Sequence, residues 1–164
     1  MTQKVFYSYY YQADCWRASQ VRNMGVINGN DPAAANDWET ITGAGDASIE
    51  RWINYQLEGI TCTIVLVGEY TAGRKWIGYE SKRSWLLGKG LLGINIHNLK
   101  NASEVQSQKG KNPFEHFELG DKNMSSIVKL YDPPYHKSTY VYDYIKSNIS
   151  DWIEDAINAR SIYQ

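Results

Sequence analysis

The sequence predicts an α/β fold built on a parallel sheet, and three observations carry that expectation. Short β-branched runs alternate with stretches of helical periodicity, the pattern of strand–helix–strand units. The run Thr61-Cys62-Thr63-Ile64-Val65-Leu66-Val67 is continuous and closed by Gly68, as in a strand covered on both faces. No linker, internal repeat or low-complexity tract interrupts the 164 residues. That length fits one domain over residues 1–164, because domains mostly run to about 100–150 residues. The 43% of apolar residues can fill its core.

Taken in order, Lys4–Tyr9 reads as the first strand, and a polar turn leads into a helix near Cys15–Met24. Gly25-Val26-Ile27 reads as a short second strand. Asn28–Gly45, rich in Gly, Asn, Asp and Ala, reads as loop. Asp46 is expected to cap a helix whose Ile49, Trp52, Ile53 and Leu57 fall at helical spacing, with Gly59 just past its end. After the third strand comes a helix from Arg74 to Leu87, ended by Gly88. Leu91–Ile96 is the fourth strand, Ser103–Asp121 a polar loop, and Ser126–Tyr131 a last strand stopped by Pro133-Pro134. A helix with Ile149, Trp152, Ile153, Ala156 and Ile157 on one stripe closes the chain. Five such strands are expected in the order 2-1-3-4-5, with helices on both faces. Ligands bind these sheets where the strand order reverses, here at the C-terminal ends of strands one and three. Ser8–Gln12 and Gly68–Glu80 stand at that point.

Composition removes several functions. Seventeen Lys+Arg against eighteen Asp+Glu leave a net charge of −1, without the basic footprint that nucleic acid or an anionic membrane needs. No run approaches the roughly 20 apolar residues that span a bilayer. The N-terminus lacks the features of a secretory signal, so a cytoplasmic protein is expected. Cys15 and Cys62 fit no metal or redox spacing, and His97, His116 and His136 are scattered; no metal site is expected. Dinucleotide-binding and P-loop glycine motifs and the G-x-S-x-G elbow are absent. The 13 Tyr, 6 Trp and 3 Phe are many for this length, and suit both cores and pockets that stack planar ligands.

Two constellations carry chemistry. Trp76 and Glu80 stand four apart on the helix after strand three and share a face, with Arg83 a turn further on. A carboxylate beside an indole can accept from ribose hydroxyls while the ring covers a planar base. Taken alone, this spacing more often marks a helix with a half-buried Trp and a solvated Glu. In Tyr7-Ser8-Tyr9-Tyr10-Tyr11, alternation sends Tyr7 and Tyr9 to one side of the strand exit. Tyr7 and Tyr9 then offer rings to stack beside a nucleotide, with Ser8 or nearby backbone amides donating to phosphate. Plain packing of an amphipathic strand is the alternative for any one of these tyrosines.

Several stretches, in this order, are similar to a known family. They are Val5–Gln12, Val21-Arg22-Asn23, Trp38-Glu39, Trp52-Ile53-Asn54, Thr63–Gly68, Arg74-Lys75-Trp76-Ile77-Gly78-Tyr79-Glu80, Gly93–Ile96 and Gly110-Lys111-Asn112-Pro113-Phe114. Together they resemble the TIR-like domains of bacterial anti-phage defence, in particular the TIR subunit of Thoeris systems. The likeness is specific as an ordered set through Phe114, and loose beyond it.

That resemblance implies a flavodoxin-like fold and cleavage of NAD⁺ at the nicotinamide–ribose bond. It further implies cyclisation of ADP-ribose into a messenger for a separate effector. NAD⁺ is then a substrate, and no cofactor is expected. In W-x-x-x-E the family's catalytic glutamate matches Glu80 with Trp76, and its nucleotide-pocket residues after strand one match Ser8 and Tyr9. Asn28–Gly45 corresponds to the loop that gates the site and mediates assembly. A phage-derived trigger and a homo-oligomer belong to the same expectation. Finding one acid suits this chemistry. Ordinary glycosidases need a second carboxyl to protonate the leaving oxygen, whereas nicotinamide leaves as a neutral base, so an ionised Glu80 need only stabilise the ribosyl cation. The alternative is a non-catalytic TIR adaptor. A phosphoreceiver is a weaker reading, because Gly68 and Glu69 stand where it needs a phosphoacceptor Asp.

Overall fold

The computed structural model describes residues 4–25, 27–29 and 45–163. Its elements are β1 (Lys4–Ser8), α1 (Tyr11–Arg22), β2 (Asn28–Gly29), α2 (Asp46–Gln56), β3 (Cys62–Val67), α3 (Lys75–Leu86) and β4 (Gly90–Asn95). A small antiparallel hairpin, β5 (Glu118–Leu119) with β6 (Lys122–Asn123), precedes β7 (Leu130–Tyr131) and the long α4 (Ser138–Ser161). The main sheet pairs in the order β2-β1-β3-β4-β7, every pair parallel. The α/β class and parallel sheet expected from the sequence are those the chain adopts.

Strand periodicity divides the core between the two faces of the sheet. Val5 and Tyr7 of β1, with Ile64 and Leu66 of β3, pack against Ala18 and Val21 of α1 and Val141, Ile145 and Ile149 of α4. Phe6 turns the other way, onto Ile49 and Ile53 of α2, Leu57, and Trp76 of α3. Val65 and Val67 share that side with Ile77, Trp85 and Phe114. Every residue of β3 and β4 is buried, which explains their near-continuous apolar runs. Burying each such aliphatic side chain stabilises the fold by about 1.5–3 kcal/mol.

Several elements differ from expectation, beginning with α1, which starts at Tyr11 rather than near Cys15. The second strand pairs through Asn28–Gly29 rather than Gly25–Ile27, because Gly25 adopts a left-handed turn (φ 75°) that delays it. Val26 and most of the expected 28–45 loop lie outside the described residues, as does Trp38-Glu39. The last strand is cut to Leu130–Tyr131. Asn123 accepts from the Ser125 amide and starts a 3-10 turn over Met124–Ser126, while Met124 and Val128 are buried. A local side-chain bond and burial thus outweigh the β-branched bias of Ile127-Val128. Asp46 is not the cap of α2 but its first residue; Gly45 precedes it, and the Asp46 carboxylate pairs with Lys75 at the start of α3. Among the described residues no helix is long and apolar enough to cross a membrane.

Candidate active site

Ser8 ends β1 and shares the side of Phe6, facing the layer that holds α2 and α3. Glu80 stands one turn after Trp76 on α3. Parallel pairing of β1 with β3 places Ser8 opposite Val65, and α3 lies against both strands. Ser8 Oγ donates to Glu80 Oε1 at 2.6 Å across 72 residues of sequence, within the range typical of hydroxyl-to-carboxylate bonds. Both side chains are buried, Ser8 at 0% and Glu80 at 1% exposure. The solvated glutamate that W-x-x-x-E alone would suggest is therefore not what the fold builds.

Trp76 is 8% exposed and has two neighbourhoods. One side joins the cluster of Phe6, Ile49 and Ile53; Tyr79 meets it edge-on at 5.7 Å between ring centroids. It also borders a cavity of about 560 Å³ along α3, whose wall includes Arg74, Lys75, Tyr79, Lys82 and Arg83. Neither Ser8 nor Glu80 is on that wall. Gly78 is part of this wall, and a Cβ there would lie 2.6 Å from the Phe117 ring. Any larger residue would push Phe117 off the helix.

Tyr9, read from sequence as a stacking platform, is only 1% exposed and lies with Tyr7 in the core under α1 and α4. Alternation holds as expected, but the side that Tyr7 and Tyr9 share is the opposite face from Glu80. Burial drives the Tyr7 phenol well above its ordinary value, so it stays neutral. The structure thus brings Ser8 and Glu80 together, sets Trp76 nearby on the same helix, and sends Tyr9 elsewhere.

Two groups escaped the sequence reading. Asn54 Oδ1 on α2 accepts from both Tyr79 Oη (3.2 Å) and Arg83 Nε (3.0 Å), tying α2 to α3 around the Glu80 turn. The Trp52-Ile53-Asn54 stretch was the signal available, yet it names no contact. Asp14 on α1 is the second buried acid, 1% exposed, ion-paired to Arg17 at 3.0 Å. Its carboxylate rests on Gly68, where a Cβ would come within 2.1 Å. Burial raises Asp14 to about 6, against the opposite pull of Arg17. Its spacing to Arg17 (i, i+3) was legible, but its burial was not.

Residues 6–101 match the family model described as "Thoeris protein ThsB, TIR-like domain". The chain is also 35% identical over 137 residues to a Bacillus cereus (strain MSX-D12) protein named "Putative cyclic ADP-D-ribose synthase ThsB1", covering 80% of this chain and 71% of that protein.

Proposed function

The chain belongs to the ThsB TIR-like family, and on that premise we propose that it cleaves NAD⁺, releases nicotinamide and forms a cyclic ADP-ribose-type messenger. The observation that carries this reading is the Ser8–Glu80 contact, which joins the strand-one exit to the W-x-x-x-E helix in a buried setting. A carboxylate held there stabilises positive charge at the ribose as the C1–N bond to nicotinamide breaks, an effect that grows where water is excluded. Nicotinamide departs with the bonding pair as a neutral base, so no proton need be supplied. Capture of C1 by a nitrogen or hydroxyl of the same molecule closes a ring; capture by water gives linear ADP-ribose. Internal capture depends on orientation set beforehand.

The cavity along α3, whose wall includes neither Ser8 nor Glu80, is read as the seat of the part of a dinucleotide remote from the reacting bond. Trp76 and Tyr79 offer ring surface for a base, and Arg74, Lys75, Lys82 and Arg83 offer positive charge for a diphosphate. In this reading Glu80 is the catalytic residue and Ser8 and Trp76 stand on the substrate side. Tyr9 lies on the opposite face of the sheet from Trp76 and Glu80, so it backs the site by packing. The sheet is read as flavodoxin-like, strand order 2-1-3-4-5; the short pairings Lys4–Asn28 and Gly93–Leu130 at its two edges support that order. The messenger would act on a separate effector, with a phage-derived trigger and self-association as further levels of control.

The test is incubation with NAD⁺ followed by chromatography and mass spectrometry, with and without phage lysate. Nicotinamide release with a cyclic product is expected. Intact NAD⁺ under both conditions, with folded protein, would replace this reading with the non-catalytic adaptor.

A further inference from the structure

Glu80 is braced from below as well as from the side. Ser84, one turn later on α3, donates its hydroxyl to the Glu80 carbonyl oxygen at 2.7 Å. Thr63 Oγ1 on β3 lies 2.7 Å from Ser84 Oγ. A hydroxyl has one proton; since Ser84 spends its own on the Glu80 carbonyl, Thr63 is the donor in that contact. All of Ser8, Thr63 and Ser84 are 0% exposed. Thr63 and Ser8 come from adjacent strands whose register is Phe6 to Thr63 and Ser8 to Val65. Polar pairs are costly in such a dry interface unless satisfied, and this chain satisfies them in one direction, from sheet to helix.

We propose that Thr63 and Ser84 are positioning residues for Glu80: the Thr63→Ser84→Glu80 hydroxyl chain locks the rotation and height of α3 on the sheet so that the Glu80 carboxylate meets Ser8. This inference rests on the reading of Glu80 as the catalytic acid. The apolar contacts of Trp76 and Ile77 hold α3 against its neighbours, but they are non-directional and tolerate small rotations. A hydrogen bond is directional, and weakens steeply off-angle. Two sheet-to-helix polar contacts stand around the Glu80 turn, Ser8 to its side chain and Thr63 through Ser84 to its backbone. Side chain and main chain of one residue are thus referenced to two neighbouring strands.

The test uses Thr63→Val, which keeps the shape and removes the hydroxyl, with Thr63→Ser as the conservative variant. Loss of one net hydrogen bond predicts kcat for NAD⁺ cleavage about three- to tenfold lower, counted per folded molecule, with KM unchanged. Thr63→Ser restores kcat. In a Glu80→Gln background Thr63→Val has no further effect on residual turnover, which a general loss of structure would not spare. A crystal structure of Thr63→Val supplies a readout free of activity, and a Ser8 Oγ–Glu80 Oε1 separation beyond hydrogen-bonding range is expected. An unchanged kcat with the 2.6 Å contact retained overturns the brace while leaving the proposed reaction standing. A wild type that leaves NAD⁺ intact overturns the reaction, and the crystal structure still decides the brace.

Discussion

Two buried carboxylates stand near the C-terminal ends of the central strands, one on each side of the sheet, and they are held by different donors. Glu80 accepts from the Ser8 hydroxyl. Asp14 meets the Arg17 guanidinium, which also donates to the carbonyl oxygens of Leu99 and Val105, each at 2.8 Å. A hydroxyl orients a carboxylate and leaves its formal charge in place; a guanidinium orients it and opposes the charge. The first arrangement suits a group that must respond to positive charge developing in a substrate. The second suits a clip, and here it pins the segment after β4 onto α1, with Glu69 accepting from the Gln108 amide close by. Burial alone therefore does not mark a reactive acid.

The largest effect should come from removing the guanidinium. Arg17→Met leaves Asp14 buried without its partner, and stability should fall by about 3–5 kcal/mol, read by urea unfolding. A loss under 1 kcal/mol (the scale of an exposed pair) would mean that Asp14 is not truly buried in solution. Glu80→Gln keeps the shape and removes the charge. NAD⁺ cleavage should drop by roughly 10²–10³ while the melting curve stays in place. Activity near wild type would dissolve the contrast, making both acids structural.

Asp14→Asn sharpens the comparison through pH. The native carboxyl titrates at about 6 against an ordinary value of 3.8, so the folded state holds its proton more tightly than the unfolded chain. That stabilisation is fully present below about 3.8 and lost as pH rises through about 6. The stability of wild type relative to Asp14→Asn should therefore rise as pH falls from neutral towards 4. Urea titrations at several pH values measure this gap, and a flat gap would contradict the burial of Asp14. The smallest effect belongs to the exposed pair of Lys75 with Asp46, both well over half exposed. Lys75→Ala should cost no more than about 1 kcal/mol, reduced further by salt.

The class of fold was legible because strand and helix periods are local. Thr61–Val67 announces a doubly covered strand by its own side chains, and Ile49, Ile53 and Leu57 announce the buried face of α2 by spacing alone. Tyr7 and Tyr9 likewise showed that they share a side. Which side that was, core or site, depended on what the sheet packs against, and no residue near them carries that information. The Ser8–Glu80 bond joins positions 72 apart, and the Asp14 carboxylate on Gly68 spans a comparable separation. Such contacts are set by parallel register and by the layer in which each helix lands. The short edge strand at Asn28–Gly29 and the turn at Met124–Ser126 escaped for a related reason: few residues define them, so one glycine turn or one asparagine bond outweighs their propensity. By itself the sequence determined the alternating α/β plan, the acid and indole on α3, and the family likeness. Only the tertiary structure decided that the acid is buried against a serine, because burial and donor geometry arise from the packing of remote segments and not from the spacing of near ones.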